Sequence, residues 1–394
     1  FEMLSGQKIV LAVTGSIAAY KSCELLRLLI KRGAEVSVIM TEAAQKFVTP
    51  LSFKALGAKR VYCSDFNDSD NAIPHIEATK DASLLLVAPA TANIMAKAAH
   101  GIADDLLSSA ILAARCPVAY APAMNAFMWH NSATQRNVAQ LTQDGAIFLG
   151  PDSGEQACGD VGNGRMLEPE DLIELLQGAF SPRLLDRCRV LITAGPTFEP
   201  IDPVRGITNM SSGKQGFAIA KAAILAGAEV TLVAGPCSLK TPAGVRRIDV
   251  VTAREMYDAV MQEVAQHEIF IGVAAVADWH VANASHHKIK KDHGTQPFIV
   301  FEENPDILAS VAALENAPYC VGFAAESENL IENARTKLFK KNVPLIVANL
   351  VQDAINQDST SVVFVERNDA TVLNKATKEH VAQALITKIA KEVN

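Results

Sequence analysis

Short apolar runs of strand length alternate with longer segments whose apolar positions recur at helical spacing, and the alternation begins twice. Lys8–Val13 reads as a strand, followed by Thr14, Gly15 and Ser16, a helix over 17–30, the basic pair Lys31 and Arg32, Gly33, and a second strand at Glu35–Met40. That is a βαβ unit. Strands are expected at 83–87, 117–121 and 146–149, and helices in the alanine-rich segment after Asn93, over 101–114 and over 169–176. From Arg189 an apolar strand again runs into a glycine-proline loop, and a helix follows at 217–225. Gly33-Ala34-Glu35-Val36 recurs as Gly227-Ala228-Glu229-Val230 ahead of each second strand. A later strand at 269–273 and a closing amphipathic helix at 378–392 complete the pattern. The prediction is an α/β protein of two Rossmann-like domains, residues 1–181 and 189–394, with 182–188 as a short linker.

Length and composition agree with two domains. The chain has 394 residues, enough for two cores, and 49% hydrophobic with only 6% aromatic residues suits alanine-rich helices packed on sheets. A formal charge of -7 and a pI near 5.8 argue against a general binder of nucleic acid or anionic membrane. Seven cysteines without a CxxC pair fit no closed disulfide framework, so a reducing cytoplasm is expected. No apolar run approaches the ~20 residues of a membrane span, and no signal peptide is visible. Phe1 and Glu2 precede Met3 and are given no role.

Candidate chemistry sits in the loops. Gly15 and Ser16 open a helix, where backbone N–H groups favour a phosphate; without G-x-G-x-x-G, a mononucleotide fits better than a dinucleotide. Ala88-Pro89-Ala90-Thr91-Ala92-Asn93 and Pro122-Ala123-Met124-Asn125-Ala126-Phe127-Met128-Trp129 follow strands, at the ends where doubly wound sheets bind ligands. Met124, Met128 and Trp129 read equally as inward-facing helix residues or ligand contacts, whereas the Asn125 carboxamide both donates and accepts. Residues 150–166 carry five glycines in a loop long enough to be a functional flap, with Cys158 at its middle. The other cysteines read as small buried hydrophobes. His75 follows Pro74 at the start of a segment, usually the place of a satisfied polar residue.

The PAMNAFMW and ACGDVGNGRM stretches, the GSIAAYK turn and His75 together resemble the flavin-dependent cysteine decarboxylases, most closely the phosphopantothenoylcysteine decarboxylases. The resemblance implies a flavodoxin-like domain holding FMN on Gly15, Ser16, Thr41, Ala90, Thr91, Asn93 and Ser108. It implies that Asn125 and Met128 hold substrate, that Cys158 donates a proton, and that His75 lies near the reacting carbon. The chemistry explains the parts. Direct loss of CO2 would leave an unstabilised carbanion, but prior oxidation of CH2–SH to a thioaldehyde lets the electrons delocalise onto sulfur. The flavin then returns the hydride and an acid protonates the neighbouring carbon; a thiol of pKa ~8.5 is mostly protonated at pH 7.

In the second half, Ser211-Ser212-Gly213-Lys214-Gln215-Gly216 combines capping hydroxyls, glycine and a cation before a helix and suits an anion, though it lacks the Walker A ending. Lys288-Ile289-Lys290-Lys291 follows a strand end. His286 and His287 lack the spaced partners of a zinc site, and no protein-held metal is expected. Lys337 and Lys341 share a helix face. ITAGPT, EPIDPVRGITNMSSGKQG, AAVADW, KIKK, NPDI and GFAAE resemble phosphopantothenate-cysteine ligases, joined to the decarboxylase as in the bacterial bifunctional family. Phe198 departs from that pattern, which usually shows arginine there.

The resemblance places the acyl substrate on Arg205 and Asn209, and the nucleotide on Ala274, Ala275, Asp278, Lys288, Asn304, Asp306, Ile307, Phe323, Lys337 and Lys341. Amide formation needs the carboxylate activated as an acyl-nucleotide monophosphate, with Lys288 serving that step, Asn209 handling substrate or intermediate and Mg2+ bridging the triphosphate. The residues leave CTP and ATP open, and the resemblance implies CTP. It also implies 4'-phosphopantothenate and cysteine as substrates and a dodecamer of flavin-domain trimers and ligase-domain dimers. Two other readings are a regulatory flavoprotein that binds partners and a decarboxylase fused to a nucleotide-binding module without ligase activity.

Overall fold

A computed structural model describes residues 4–63, 73–155, 161–290, 298–326, 328–350 and 359–393. It divides into two compact units, Phe1–Ser181 and Pro182–Asn394.

The first unit opens with β1 (Lys8–Val13), in which every residue after Lys8 is buried. A strand that is apolar on both faces must be covered on both, and helices on either side of a parallel sheet do that. The order along the chain is α1 (Lys21–Lys31), β2 (Glu35–Met40), α2 (Pro50–Ala55), β3 (Val61–Tyr62), α3 (Pro74–Thr79), β4 (Leu84–Ala90), α4 (Ala92–His100), α5 (Leu106–Ala113), β5 (Val118–Pro122), α6 (Ala126–His130), α7 (Ser132–Gln143), β6 (Ile147–Phe148), β7 (Asp152–Glu155), β8 (Val161–Arg165) and α8 (Pro169–Ala179). The sheet order is β3-β2-β1-β4-β5-β6, all parallel, so winding reverses between β1 and β4. Two cores, around Leu11 and Leu86 on one face and Val10 and Leu85 on the other, fill the layers.

Three expectations needed correction here. The helix over 17–30 begins as a 3-10 turn, Ile17–Tyr20, and becomes α-helical only at Lys21. The helix over 101–114 is shorter, because Gly101, at φ +67°, ends α4 and Asp105 caps α5 through a reciprocal bond with Ser108. The glycine-dense stretch is not irregular throughout: β7 and β8 pair as an antiparallel ribbon.

The second unit repeats the plan: β9 (Arg189–Ala194), β10 (Phe198–Pro200), β11 (Gly206–Thr208), α9 (Lys214–Leu225), β12 (Glu229–Ala234), β13 (Arg246–Asp249), α10 (Ala253–Glu263), β14 (Ile269–Gly272), β15 (Trp279–Val281), β16 (Phe301–Glu303), α11 (Ile307–Ala312), β17 (Tyr319–Glu326), α12 (Leu330–Lys341), β18 (Leu345–Leu350), β19 (Ser359–Val365), β20 (Ala370–Thr377) and α13 (Lys378–Val393). Its main sheet runs β13-β12-β9-β14-β17-β18-β19-β20, parallel as far as β18 and antiparallel beyond. The first six strands therefore have the winding order of the first unit. The repeated Gly-Ala-Glu-Val occupies the same turn in both, between first helix and second strand, where Gly33 (φ +85°) and Gly227 (φ +91°) adopt the left-handed conformation.

Segment 182–188 is docked rather than free-running. Leu185 is fully buried in the second unit's core and its N–H donates to Ala226 O at 2.9 Å, because an apolar side chain at this spacing gains more from the α9 face than from water. The closing helix α13 buries Val381, Leu385, Ile386 and Ile389, one face, in the same cluster as Phe217 and Ala220 of α9.

Helix α9 starts at Lys214, earlier than expected, which puts Gly216 in its first turn. A Cβ at Gly216 would lie 2.4 Å from Ala194 Cβ and 3.2 Å from Ala194 Cα. Gly216→Ala should therefore push α9 off β9 and destabilise the second unit by ~1–3 kcal/mol, the usual cost of overpacking. Urea unfolding checks this, with the midpoint of the second unit falling and any separate transition of the first unit unchanged.

Candidate functional site

In each unit some of the polar residues singled out above gather where the sheet winding reverses. In the first unit, Thr14, after β1, donates its hydroxyl to Pro89 O at 2.6 Å, and Ser22 donates to Ala88 O at 2.7 Å. These bonds tie the turn after β1 and the start of α1 to the C-terminal end of β4. Gly15 and Ser16 lie there half-buried; a Cβ at Gly15 would meet Ala43 Cβ at 2.4 Å, so the loop after β2 closes against the turn. Ser16 caps the turn by accepting from Ala18 N–H, and Thr91 caps α4 by accepting from Ile94 N–H. Thr41 accepts from Ala44 N–H, Ala90 ends β4 in the core, and Asn93 is exposed on the first turn of α4. Ser108 is 1% exposed and its hydroxyl is committed to the cap of α5 with Asp104 and Asp105.

The loop after β5 joins this set through Ala123 N–H, which donates to Ala90 O, and Met124 N–H, which donates to Gly164 O of β8. Asn125 caps α6, its side-chain oxygen accepting from Phe127 N–H at 2.8 Å. The inward-facing alternative fails for Met128, which is 49% exposed; Trp129 and Met124 pack on the Val10 core. His75 is half-buried in the first turn of α3, whose last residue, Thr79, donates to the His75 carbonyl at 3.0 Å. Cys158 lies outside the described residues. The six described cysteines are thiols, not disulfide partners. Only Cys320 is buried outright, its pKa pushed up to about 12 by burial, and burial also raises those of Cys23, Cys116 and Cys188.

In the second unit the stitching is again by threonine. Thr197 Oγ1 accepts from Ala277 N–H at 2.9 Å and Thr193 Oγ1 accepts from Ala274 N–H at 3.3 Å, joining the loops after β9 and β14. Two cavities open beside this seam. One, of about 470 Å3, is lined by Ala274, Asp278, Trp279, Asn304, Asp306, Ile307, Phe323 and Lys341 among others. The other, of about 560 Å3, is lined by Asn209, residues 211–216, Ala274, Ala275, Asp278, Phe323, Lys337, Asn349 and Lys378. Ala274, Val276, Asp278 and Phe323 belong to both linings.

Carboxylates hold two of the three lysines of α12, Lys337 and Lys341, in place. Lys337 Nζ lies 2.6 Å from Glu326 Oε1, and Lys341 Nζ lies 3.3 Å from Asp306 Oδ2. Asp306 also caps α11 through Ala309 N–H, and Asn304 donates to Ala277 O. Asn209 accepts from Ser211 N–H at 3.0 Å. Lys214, the cation expected within SSGKQG, lines the second cavity, as does Lys378, which is 8% exposed and, carrying no motif, is missed in the sequence.

Lys288 and Arg205 lie outside both linings. They share a different support. Asp202, whose side chain is fully buried, accepts from Arg205 Nη2 at 2.5 Å and from Ile289 N–H at 3.1 Å, while Arg205 Nη2 also donates to Ile289 O at 2.9 Å. Lys288 is thus an exposed side chain on a backbone pinned to the 200–205 loop. Arg205 holds the Asp202 carboxyl far below the usual range, with the backbone N–H donors of Val204, Ile289 and Arg205 adding to the effect. Phe198, in the place of the expected arginine, packs its ring over Gly206 on the paired strand.

A family model described as Flavoprotein matches residues 2–181, and one described as DNA/pantothenate metabolism flavoprotein C-terminal domain matches residues 185–393. The chain is 48% identical over 398 residues to the Coenzyme A biosynthesis bifunctional protein CoaBC of Vibrio cholerae, covering 100% of each chain. It is 49% identical over 394 residues to the protein of that name from Escherichia coli, covering 98% of this chain and 97% of that one. A crystal structure of a CoaBC C-terminal domain is 37% identical, covers 54% of this chain and 98% of its own, and superposes with a TM-score of 0.47.

Because Asp202 is ionised more readily when folded, its clamp is complete above the ordinary carboxylate range and weakens only as pH falls toward its depressed folded value. Asp202→Asn should release the Lys288 backbone at neutral pH. Amide exchange at Ile289 is expected to quicken by about tenfold, the scale of one charge-assisted hydrogen bond.

Proposed function

The chain belongs to the family of bifunctional coenzyme A biosynthesis proteins, and from that membership we propose which residues perform each of its two reactions. It is an enzyme with two activities: phosphopantothenate-cysteine ligation and decarboxylation of the phosphopantothenoylcysteine produced. We assign the decarboxylase to residues 1–181 and the ligase to 189–394, and take the flavin to be FMN.

The observation that carries the ligase assignment is the pair of cavities divided by Asp278 and Phe323. An acyl-nucleotide intermediate requires two ligands of different chemistry to meet at one point. The cavity of Asn304, Asp306, Ile307 and Lys341 suits the nucleotide, and the Asn209 side of the other suits 4'-phosphopantothenate. Phe323 offers a ring face to the base. Lys337 and Lys214 bring positive charge toward a triphosphate, and the exposed Lys288 is the group free to reach the reacting phosphate from the pinned 285–290 segment. Arg205 then acts by holding that segment through Ile289 rather than by touching substrate. CTP is the proposed nucleotide. Magnesium would arrive on its oxygens; Asp306 is already spent on a helix cap and a lysine, and among the described residues no cluster of three or more metal-ligating side chains forms.

In the first unit, the capped turns at Ser16 and Thr91 and the close approach of Gly15 to Ala43 fit a phosphorylated flavin laid across the β1/β4 seam. Bound there on Gly15, Ser16, Thr41 and Thr91, FMN would supply reversible two-electron chemistry at the CH2–SH carbon. Asn125 orients the substrate beside β8, Met128 offers an exposed apolar contact, Cys158 gives the proton to the carbon that lost CO2, and His75 is assigned a place near the reacting carbon from the family resemblance. The thiols present and the family's chemistry support a reducing cytoplasm. Exposed Phe127 and Leu51 in the first unit, and Phe298 and Phe301 in the second, support self-association through both units, proposed as trimers and dimers of a dodecamer; light scattering of the purified protein tests it.

Incubation with phosphopantothenate, cysteine, Mg2+ and either CTP or ATP, followed by assays of pyrophosphate, CO2 and phosphopantetheine, tests the division of labour. CTP should support turnover and ATP should not. Lys288→Gln should lower pyrophosphate release on the order of 100-fold while decarboxylation of supplied phosphopantothenoylcysteine persists. Cys158→Ser should keep its flavin and its ligase activity but lose about 100-fold or more of phosphopantetheine formation, as expected for a missing general acid. Full turnover by that variant would remove the proton-donor assignment.

A further inference from the structure

The two cavities of the second unit differ in charge. Among the described residues, the one beside Asn304 is lined by Lys340 and Lys341 against the carboxylates of Asp278, Glu303 and Asp306. The one beside Asn209 is lined by Lys214, Lys337 and Lys378 against Asp278 alone. A base and a ribose bring N–H and O–H groups from which carboxylates can accept, whereas a polyphosphate needs a cationic wall. The second cavity therefore suits the charged end of a nucleotide whose base lies in the first, and Asp278 and Phe323 border both.

Lys378 opens α13, a helix of 16 residues, and is only 8% exposed. The helix start is fixed twice. Thr377 Oγ1 accepts from His380 N–H at 3.2 Å, and the Lys378 carbonyl accepts from Gln215 Nε2 at 3.2 Å. Gln215 lies in the first turn of α9, which begins after Gly213 (φ +76°) without a side-chain cap. A Cβ on Gly213 would lie 3.2 Å from Gly195 Cα, so the start of α9 is set close against the loop after β9. Two helix N-termini, with Lys214 and Lys378 as their first residues, thus border one cavity. A buried ammonium has given up most of its water and meets the positive end of its own helix dipole, and an anion in the cavity offsets both costs. Two dipole ends and two ammonium groups then act in the same direction on a multiply charged ligand.

We propose that Lys378 is a further nucleotide-binding residue of the ligase, completing with Lys214 a corner between α9 and α13 that holds the β- and γ-phosphates. The inference rests on the acyl-nucleotide reading of this site. In that step a carboxylate oxygen of the acyl substrate attacks the α-phosphorus, the bond from that phosphorus to the oxygen bridging to the β-phosphate breaks, and pyrophosphate leaves with the electron pair. Negative charge grows on the departing group, and an ammonium already fixed at a helix start meets it without rearrangement. The 4'-phosphate of the acyl substrate has the same chemistry but less charge; three lysines against one carboxylate match the longer anion.

The test uses the full-length flavin-loaded enzyme with Mg2+. Lys378→Gln and Lys378→Met should each lower kcat/KM for CTP by about tenfold or more and weaken inhibition by inorganic pyrophosphate by a similar factor, the scale of one charge-assisted hydrogen bond. KM for 4'-phosphopantothenate should stay within about twofold of wild type, since its binding does not use this corner. In the wild-type enzyme, which keeps the test valid if a variant fails to fold, pyrophosphate should slow amide exchange in the first turns of α9 and α13, and 4'-phosphopantothenate alone should leave that of α13 unchanged. Unchanged kinetics in both variants would overturn the proposal. So would a rise in KM for 4'-phosphopantothenate, alone or together with that for CTP, or protection of α13 by 4'-phosphopantothenate and not by pyrophosphate. If the wild-type enzyme instead releases nucleoside diphosphate and inorganic phosphate, it is the acyl-nucleotide reading that fails.

Discussion

Everything in this protein is arranged around a reversal of strand winding made twice, between β1 and β4 and again between β9 and β14. At such a reversal, successive crossovers leave toward opposite edges of the sheet, so the two central strands end beside each other with no helix laid across the gap. The loops there would splay without a tie. In both units the tie is a threonine: Thr14 donates to Pro89 O, and Thr197 accepts from Ala277 N–H. Each threonine is at most 2% exposed, so the bond is made away from water, where an unpaired partner would be costly.

The same scaffold then serves different chemistry through what the loops carry. In the first unit the seam is lined by small residues and capped turns that suit a flavin phosphate, and an antiparallel ribbon outside the main sheet meets the loop after β5 through Gly164. In the second, lysines are brought close to the seam already paired with carboxylates, Lys337 with Glu326 and Lys341 with Asp306. Pairing limits the rotamer freedom of long side chains and keeps like charges from repelling before an anionic ligand exchanges for the carboxylates. Asp202 applies the same logic to backbone, holding Ile289 so that the adjacent Lys288 stays exposed on a fixed segment.

Much of the fold was legible in the chain because its signals are local. Apolar runs of six or seven residues, glycine at Gly33 and Gly227, and the repeated tetrapeptide marked both βαβ starts, and α13 was visible in its helical spacing. The short ribbons β10/β11 and β15/β16 escaped, since strands of three residues carry almost no periodicity. Among site residues, those inside long motifs, such as Asn304, Asp306 and Phe323, do line a cavity.

Sequence by itself therefore determined the two-unit α/β plan, the loops that hold the chemistry and the residue types within them, because propensity, capping and apolar spacing act over a few neighbouring positions. Only the tertiary structure decided what those residues face. Ser108 proves to be a helix cap, Arg205 a clamp on Asp202, Lys378 a cavity wall, and Glu168 a partner for Lys21 at a distance of 147 residues. Hydrogen bonds and ion pairs of that range depend on where the sheet brings its loops together, and no window of sequence contains both partners.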